Sequence, residues 1–417
     1  MRRGEIIAIG SELLLGGRLD TNSLFLTDEL AALGIEVRWK TVVGDDEADI
    51  TGAIRTAARR ADLVVMTGGL GPTEDDLTRE AVARVTRRPL RRHAAALKGM
   101  TKRLAAWGRT PTAAQMKQAQ IPAGAAVLNN PVGSAPGFCL SWKACQLIAL
   151  PGVPAEAQAM FAKEATRFVA EPIGAGSRGR IERRLFHTFG MPEADLEARI
   201  NPLVPRRGLR LGLLASPLGV TVSLTVSGGP SEMAALEQTA GVLRENLGAL
   251  VYAEGSDTME EVVGHALAAR KMTIAVAESC TGGLIGHRLT QVPGSSNYLD
   301  RVLVCYSNEA KVDLLGVSKT VLERHGAVSS EVAAAMAKGV RERSKTDVGL
   351  SVTGIAGPSG GTAQKPVGLV YVGFDARGAG VLAKEFRFHG PRDAIKMRAS
   401  QAALNLVRQW LPIAQRA

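Results

Sequence analysis

Short apolar runs alternate with helical periodicity over most of this 417-residue chain. EIIAIG (5–10) has the unbroken apolar character of a buried strand, and TNSLFLTDELAALG (21–34) spaces its apolar residues as a helix does. EVRWKTVVG (36–44) reads as a second strand, EADITGAIRTAARRA (47–61) as a helix, and DLVVMTGGLG (62–71) as a buried strand ending in a glycine turn. Asp75 and Asp76 stand just before LTREAVARV, where N-cap and first-turn acids belong. Alternation of this kind predicts a mostly parallel sheet with ligands at the carboxyl ends of its strands. AAVLNN, GFCLSW and CQLIALPG then predict a meander on the same sheet, closed by a helix on PAEAQAMFAKEATRFVA.

EPIGAGSRGR (171–180) reads as a basic, glycine-rich linker, and its GSRG resembles the GxxG of KH modules only weakly, since it precedes a strand. Beyond it the pattern is strand, helix, hairpin (LRLGLLASPLGVTVSLTVSG), helix and strand, a small α/β module. From Met259 a second full α/β alternation begins and ends in the long helix RDAIKMRASQAALNLVRQWL. The predicted fold class is α/β: two three-layer α/β domains with mostly parallel sheets (1–170 and 257–417), joined by a small α/β, KH-like module (180–253).

Hydrophobic content of 46% is that of a globular protein with ample core. No window approaches the roughly 18 apolar residues of a membrane span, and Glu5 and Glu12 interrupt any signal-peptide core, so a cytoplasmic protein is expected. Four cysteines without a CxxC pair argue against zinc. The net charge of +11 suits anionic small substrates or nucleic acid, and equally plain solvated faces. Scarce aromatics, 4%, weigh against a nucleic-acid partner, because few rings are present on which bases could stack.

Reactive side chains gather in four segments expected as loops: ESCTGG (278–283), PGSS (293–296), YSNEAK (306–311) and TGIAGPSGG (353–361). Ser279 follows an apolar strand and precedes Gly282, Gly283 and a helical pattern. That turn exposes a hydroxyl beside N–H groups lacking helical partners, which favour a phosphate or a developing oxyanion. Lys311, desolvated near Ser279, could take the serine proton, with Tyr306 orienting it or relaying that proton. The N–H groups of Thr281 to Gly283 would hold the oxyanion. The alternatives are a phosphate cradle built from TGG and AGPSGG, or simple helix capping by Ser279 and Thr281 with Tyr306 in the core and Lys311 solvated. His287, one turn into a helix, and His325, in a loop, read as structural.

AESCTGG, PGSS, YSNEAK, LGV, HGAVS, and TGIAGPSGG with KPVG resemble, in order, the carboxyl-terminal domain of CinA proteins, the nicotinamide mononucleotide amidohydrolases. The resemblance covers about the last 160 residues. It implies hydrolysis of nicotinamide mononucleotide to nicotinate mononucleotide and ammonia by a Ser–Lys mechanism without a metal or other cofactor in this domain. Carried over by motif, Ser279 is the nucleophile, Lys311 the base and Tyr306 its partner. Ser296, Thr353 and the adjoining Gly354 become substrate or proton-relay contacts, and Arg392 meets the phosphate. Pro391 stands where the family usually has an acidic residue.

In the first domain Glu12, Asp20, Asn22, Asp45, Asp46, Asp75 and Asp76 gather at predicted strand ends. Carboxylates converging beside the Thr67–Gly68–Gly69 turn could hold a divalent cation against a pyrophosphate, and as N-caps each has a plainer use. The glycines would let backbone N–H groups approach phosphate oxygens. With MKQAQIP, NNPVGSAPGF and LPGVPAE, these motifs resemble the amino-terminal CinA domain, a relative of molybdopterin-binding proteins. That resemblance implies an ADP-ribose pyrophosphatase using magnesium, manganese or cobalt at Asp45, Asp46, Asp75 and Asp76, with molybdopterin binding as the second possibility. It also implies ligand contacts from Lys117, Gln118 and Ser134 (Ser134 replacing the family's commoner Thr, and Ala157 its commoner Met), and a homodimer. A nucleic-acid-associated competence factor is the reading from another class.

Overall fold

The computed structural model describes residues 2–170, 180–205 and 208–411. The linker and its GSRG motif lie outside them, apart from Arg180. The chain forms two compact units, one of Met1–Glu182 with Val226–Met233, the other of Arg183–Thr225 with Ala234–Ala417.

Strands β1 (Arg2–Ile9), β2 (Ile35–Val43) and β3 (Leu63–Thr67) run parallel with β1 in the middle. A short pair, β4 (Leu90–Arg92) and β5 (Gln120–Pro122), stands apart with helices Ala94–Ala106 and Ala113–Lys117, none assigned from the sequence. The expected meander is present as β6 (Ala126–Leu128), β7 (Gly137–Trp142) and β8 (Cys145–Leu150), giving the order β2-β1-β3-β8-β7-β6. Successive strand residues serve opposite faces. Ile7, Val64 and Met66 pack with Ile50, Ile54 and Val82, while Ile6 and Val65 pack with Leu26, Leu30 and Phe161. Each such side chain contributes about 1.5–3 kcal/mol on burial, which fixes three layers and aligns the carboxyl ends of β1, β2 and β3 on one edge.

The small module is a four-stranded sheet, β9 (Arg180–Thr188), β10 (Leu209–Ser216), β11 (Gly219–Gly228) and β12 (Val251–Glu254), ordered β10-β11-β9-β12. Helices Glu193–Ile200 and Pro230–Leu247 accompany it.

The last sheet holds β13 (Ile274–Glu278), β14 (Leu299–Val304), β15 (Val348–Gly354), β16 (Leu369–Ala376) and β17 (Gly380–Arg387), ordered β14-β13-β15-β16-β17. β13 lies parallel to both neighbours, and the final helix, Arg392–Trp410, packs Ile395 and Leu404 onto Val276, Leu350 and Val372. On the other face Ala275 and Ala277 meet Val332 and Met336 of helix Ser330–Ser344. Two helices replace expected loops: Asn308–Leu315, which carries Lys311, and Lys319–His325, which ends at His325. Among the described residues no helix is long and apolar enough to cross a membrane.

Candidate functional site

Ser279 follows β13 directly and is held between both neighbouring strands. Its N–H donates to Val352 O at 2.9 Å, while Cys305 N–H donates to the preceding carbonyl, Glu278 O, at 2.7 Å. The chain then turns through Gly282 and Gly283, with φ of 64° and 92°, left-handed values that glycine adopts without strain. Ser279 is 8% exposed.

Two of the N–H groups expected to be free at this turn, those of Gly282 and Gly283, are bound. Glu278, fully buried, folds its carboxylate back over the start of helix Leu284–Gln291. It accepts from Gly283 N–H at 3.0 Å, Ile285 N–H at 3.2 Å and Gly286 N–H at 2.9 Å. Gly282 N–H donates to Ser279 O at 3.2 Å. The anion that a helix start attracts is therefore supplied by the protein itself. The Thr281 hydroxyl is different: it is buried and has no partner.

Lys311 enters from helix Asn308–Leu315, whose start is capped by Ser307 accepting the Ala310 N–H at 3.0 Å. Its side chain is 1% exposed. The Nζ donates to Ser279 Oγ at 3.2 Å and to the carbonyls of Cys305 (2.9 Å), Tyr306 (3.2 Å) and Ser307 (3.3 Å). Burial, which penalises the charged form, pulls the ammonium below the ordinary lysine value. The nearby sulfurs do not oppose this as thiolates, because burial pushes Cys280 up to about 12 and raises Cys305 as well. A neutral amine keeps two N–H donors for carbonyls and turns a lone pair to the Ser279 hydroxyl. That is a serine with a base in hydrogen-bond reach.

Four residues expected at the site are placed differently. Tyr306 offers Lys311 its carbonyl; its own ring is exposed, and its hydroxyl accepts from Arg392 Nη2 at 3.2 Å. The proton-relay role expected of its side chain is thus not supported by placement. Thr353 donates to Ala327 O at 2.8 Å and holds the HGAVS loop, which Lys365 also grips through His325 O and Val328 O, both at 2.7 Å. At Gly354 a Cβ would lie 2.7 Å from Leu369 O, so glycine there permits close pairing of β15 with β16. Ser296 lies exposed in the turn Ser295–Asn297, just before β14. β14 runs parallel to β13, so Ser296 sits at the amino-terminal edge of the sheet and Ser279 at the carboxyl-terminal edge. Within this chain the two are not brought together.

Arg392 heads the last helix and also donates to Gly357 O at 2.6 Å. One turn on, Lys396 reaches over the Gly282 turn, a position missed in the sequence although RDAIK carries both cations at helical spacing.

In the first domain the residues separate into groups. Glu12, Asp20, Asn22 and Thr67 line one hollow at the carboxyl-terminal edge of the sheet, with Gly152 opposite. Asp20 caps helix Thr21–Ala32 through Ser23 N–H at 2.9 Å. Asn22 donates to Gly152 O at 2.8 Å, and its Oδ1 is buried without a partner. Gly68 has φ 101°, and a Cβ there would stand 2.0 Å from Ile9 O; Gly69 has φ 62°. Only glycine lets this turn pass so close to β1.

The proposed metal ligands do not converge. Asp45 accepts the Ser11 N–H at 2.7 Å, and Asp46 caps helix Glu47–Arg60 through Ala48 and Asp49 N–H. Asp76, expected at a helix start, instead staples its loop by accepting from Gly71 and Thr73 N–H at 2.7 and 2.8 Å. Asp75 is exposed, held below the usual carboxylate range by the Thr73 hydroxyl. Among the described residues no group of three or more His, Cys, Asp or Glu side chains could hold a metal ion. These residues do not fit the divalent cation that the resemblance implies. Buried Arg79, unforeseen, grips the same loop through Leu70 O (2.7 Å) and Gly71 O (2.9 Å). Gln118 is buried and accepts from Ser134 at 3.4 Å, while Lys117 pairs with Glu80 at 3.3 Å.

Fold and site together define an α/β protein with two three-layered domains and a small α/β module between them in sequence, the last domain built around a buried serine and lysine. Three family descriptions match in that order: "Probable molybdopterin binding domain" over residues 5–171, "Damage-inducible protein CinA KH domain" over 183–253, and "CinA C-terminal domain" over 256–411. A "Putative competence-damage inducible protein" of Moorella thermoacetica is 46% identical over 408 residues, covering 97% of this chain and 98% of that one. A "CinA-like protein" of Anaeromyxobacter sp. is 41% identical over 97% of this chain and 98% of its own. Among solved structures, the CinA protein of Thermoplasma acidophilum is 36% identical, covering 41% of this chain and 100% of that one, with a TM-score of 0.38. The chain belongs to the CinA, or competence-damage inducible protein, family.

Proposed function

We propose that the last domain hydrolyses the carboxamide of nicotinamide mononucleotide to nicotinate mononucleotide and ammonia. The observation that carries this reading is the 3.2 Å approach of Lys311 Nζ to Ser279 Oγ, with both groups buried. Neutral Lys311 takes the hydroxyl proton as Oγ bonds to the carboxamide carbon. The Thr281 hydroxyl, buried and without a partner, receives the developing oxyanion. The tetrahedral adduct collapses; its C–N bond breaks and Lys311 returns the proton to the leaving nitrogen, releasing ammonia and leaving a serine ester. Water then gives a proton to Lys311 and its oxygen bonds to the ester carbon; the bond to Ser279 Oγ breaks and Lys311 returns the proton to Oγ, freeing nicotinate mononucleotide with Ser279 restored.

The test is incubation of the full chain with nicotinamide mononucleotide. Ammonia release, with an ester on Ser279 trapped by rapid quenching and mass measurement, supports the reading. DNA binding with a steep salt dependence and no ammonia release contradicts it and favours the nucleic-acid alternative.

For the first domain we propose recognition of ADP-ribose at the hollow bounded by Asp20, Asn22 and Thr67, with cleavage to AMP and ribose 5-phosphate as the reaction. Its place at the carboxyl-terminal edge of parallel strands and the unpartnered Asn22 Oδ1 support this reading. Calorimetric titration with ADP-ribose tests it: binding lost in Asn22→Ala supports the hollow as the site, and undiminished binding contradicts it.

A further inference from the structure

We infer that Arg288 is a positioning residue for the reaction at Ser279, setting the register of the last helix against the reactive turn. The inference rests on the amidase reading and deepens it. Helix Leu284–Gln291 continues directly from the Cys280–Gly283 turn. The first turn of the last helix faces the same turn, with Lys396 Nζ 3.8 Å from the point a Cβ at Gly282 would occupy. Arg288 joins these two helices. It is 5% exposed. Its Nη1 donates to Ser400 Oγ at 2.8 Å, and its Nη2 to Gln401 Oε1 at 2.6 Å. Nη2 also donates to Glu260 Oε2 at 2.7 Å, on helix Met259–Ala269. Ser400 follows Lys396 by four residues, so the tie lies one turn beyond the side chain that overhangs Gly282.

This cluster is a poor source of stability. Desolvation offsets most of the attraction within a buried ion pair, and Gln401, fully buried, keeps an Nε2 without a partner. What the cluster supplies is direction. Ile285 and Leu289 share a core with Ala399 and Ala403, but apolar burial has no preferred direction and alanines leave a helix face smooth. A planar guanidinium bonded across to two consecutive residues of the last helix fixes both its rotation and its rise. The Ser279–Lys311 pair is built elsewhere, at the end of β13 and on helix Asn308–Leu315. Loss of Arg288 therefore displaces the last helix from the reactive turn and leaves nucleophile and base in place.

Ammonia release from nicotinamide mononucleotide by wild type, Arg288→Met and Arg288→Lys tests the role, below the thermal midpoint of each. Lysine keeps a charge for Glu260 but has no fork to span Ser400 and Gln401. Arg288→Met is expected to raise KM about 10-fold with kcat within about three-fold of wild type. Arg288→Lys should regain the thermal midpoint yet keep most of the KM increase, which a role limited to balancing Glu260 would not produce. An unchanged KM in Arg288→Met, or a wild-type KM in Arg288→Lys, overturns the assignment. Should Arg288→Met fail to fold, the lysine variant decides by the same criterion. Spin labels on His287→Cys and Asp393→Cys, both exposed positions, give a readout that needs no turnover. A single narrow distance that broadens or shifts when Arg288→Lys is added supports the positioning role, and an unaltered distance sinks it. Absence of ammonia release by wild type, alongside a label distance that depends on Arg288, sinks the amidase reading alone.

Discussion

Glu278 Oε1 accepts the Gly286 N–H at 2.9 Å, tying the last residue of β13 to the helix beyond the reactive turn. With the two contacts of Oε2, this carboxylate satisfies three of the orphan donors at that helix start. Ser279 and the Cys280–Gly283 turn are held between those anchor points.

Removing the anchor should therefore loosen the site. Glu278→Ala leaves three N–H groups, two of them buried, without acceptors and is expected to destabilise the protein by about 2–4 kcal/mol, with a large loss of activity. Glu278→Gln keeps one acceptor oxygen and should lie between. Denaturant midpoints measure the effect; an unchanged midpoint in Glu278→Ala contradicts the anchoring role.

The pH dependence follows from Lys311. Its folded-state pKa is lowered by burial, so between that value and the ordinary 10.5 the unfolded chain binds the extra proton. Stability from this group consequently rises with pH through that window. Activity rises as well, because only the neutral amine accepts the serine proton. The kcat/KM profile should fall on the acid side with a one-proton limb whose midpoint lies below 10.5. A limb at or above the ordinary lysine value contradicts the assignment.

Asp46 separates a cap from a metal ligand. It accepts from Ala48 and Asp49 N–H, so Asp46→Ala should lower the stability of the first domain by about 1 kcal/mol. Manganese binding, followed by calorimetry, should be unaffected by the substitution. Binding abolished by Asp46→Ala would restore a ligand role.

Much of this was legible because buried parallel strands announce themselves as unbroken apolar runs, as LVVMT and IAVAE do. Spacing did not reveal that helix Asn308–Leu315 carries Lys311. Its polar start, SNEAK, reads as a loop until Ser307 is seen to cap it. The free N–H groups expected after Ser279 were missed as bound ones because Glu278 precedes the turn, whereas acidic caps ordinarily sit within a residue or so of the helix they serve. Motif order placed Ser296 with Ser279, yet order says nothing about which end of a parallel strand a loop occupies. The acidic residues of the first domain were read as converging because strand ends converge, but Asp20, Asp45, Asp46 and Asp76 each accept from a nearby backbone N–H instead.

The central claim is that Ser279 attacks a carboxamide with Lys311 as its base. Ammonia release from nicotinamide mononucleotide by wild type and Ser279→Ala, at matched thermal midpoints, tests it most directly. The account predicts a loss of about 10³-fold or more in kcat for the variant. Turnover within a few-fold of wild type would contradict it.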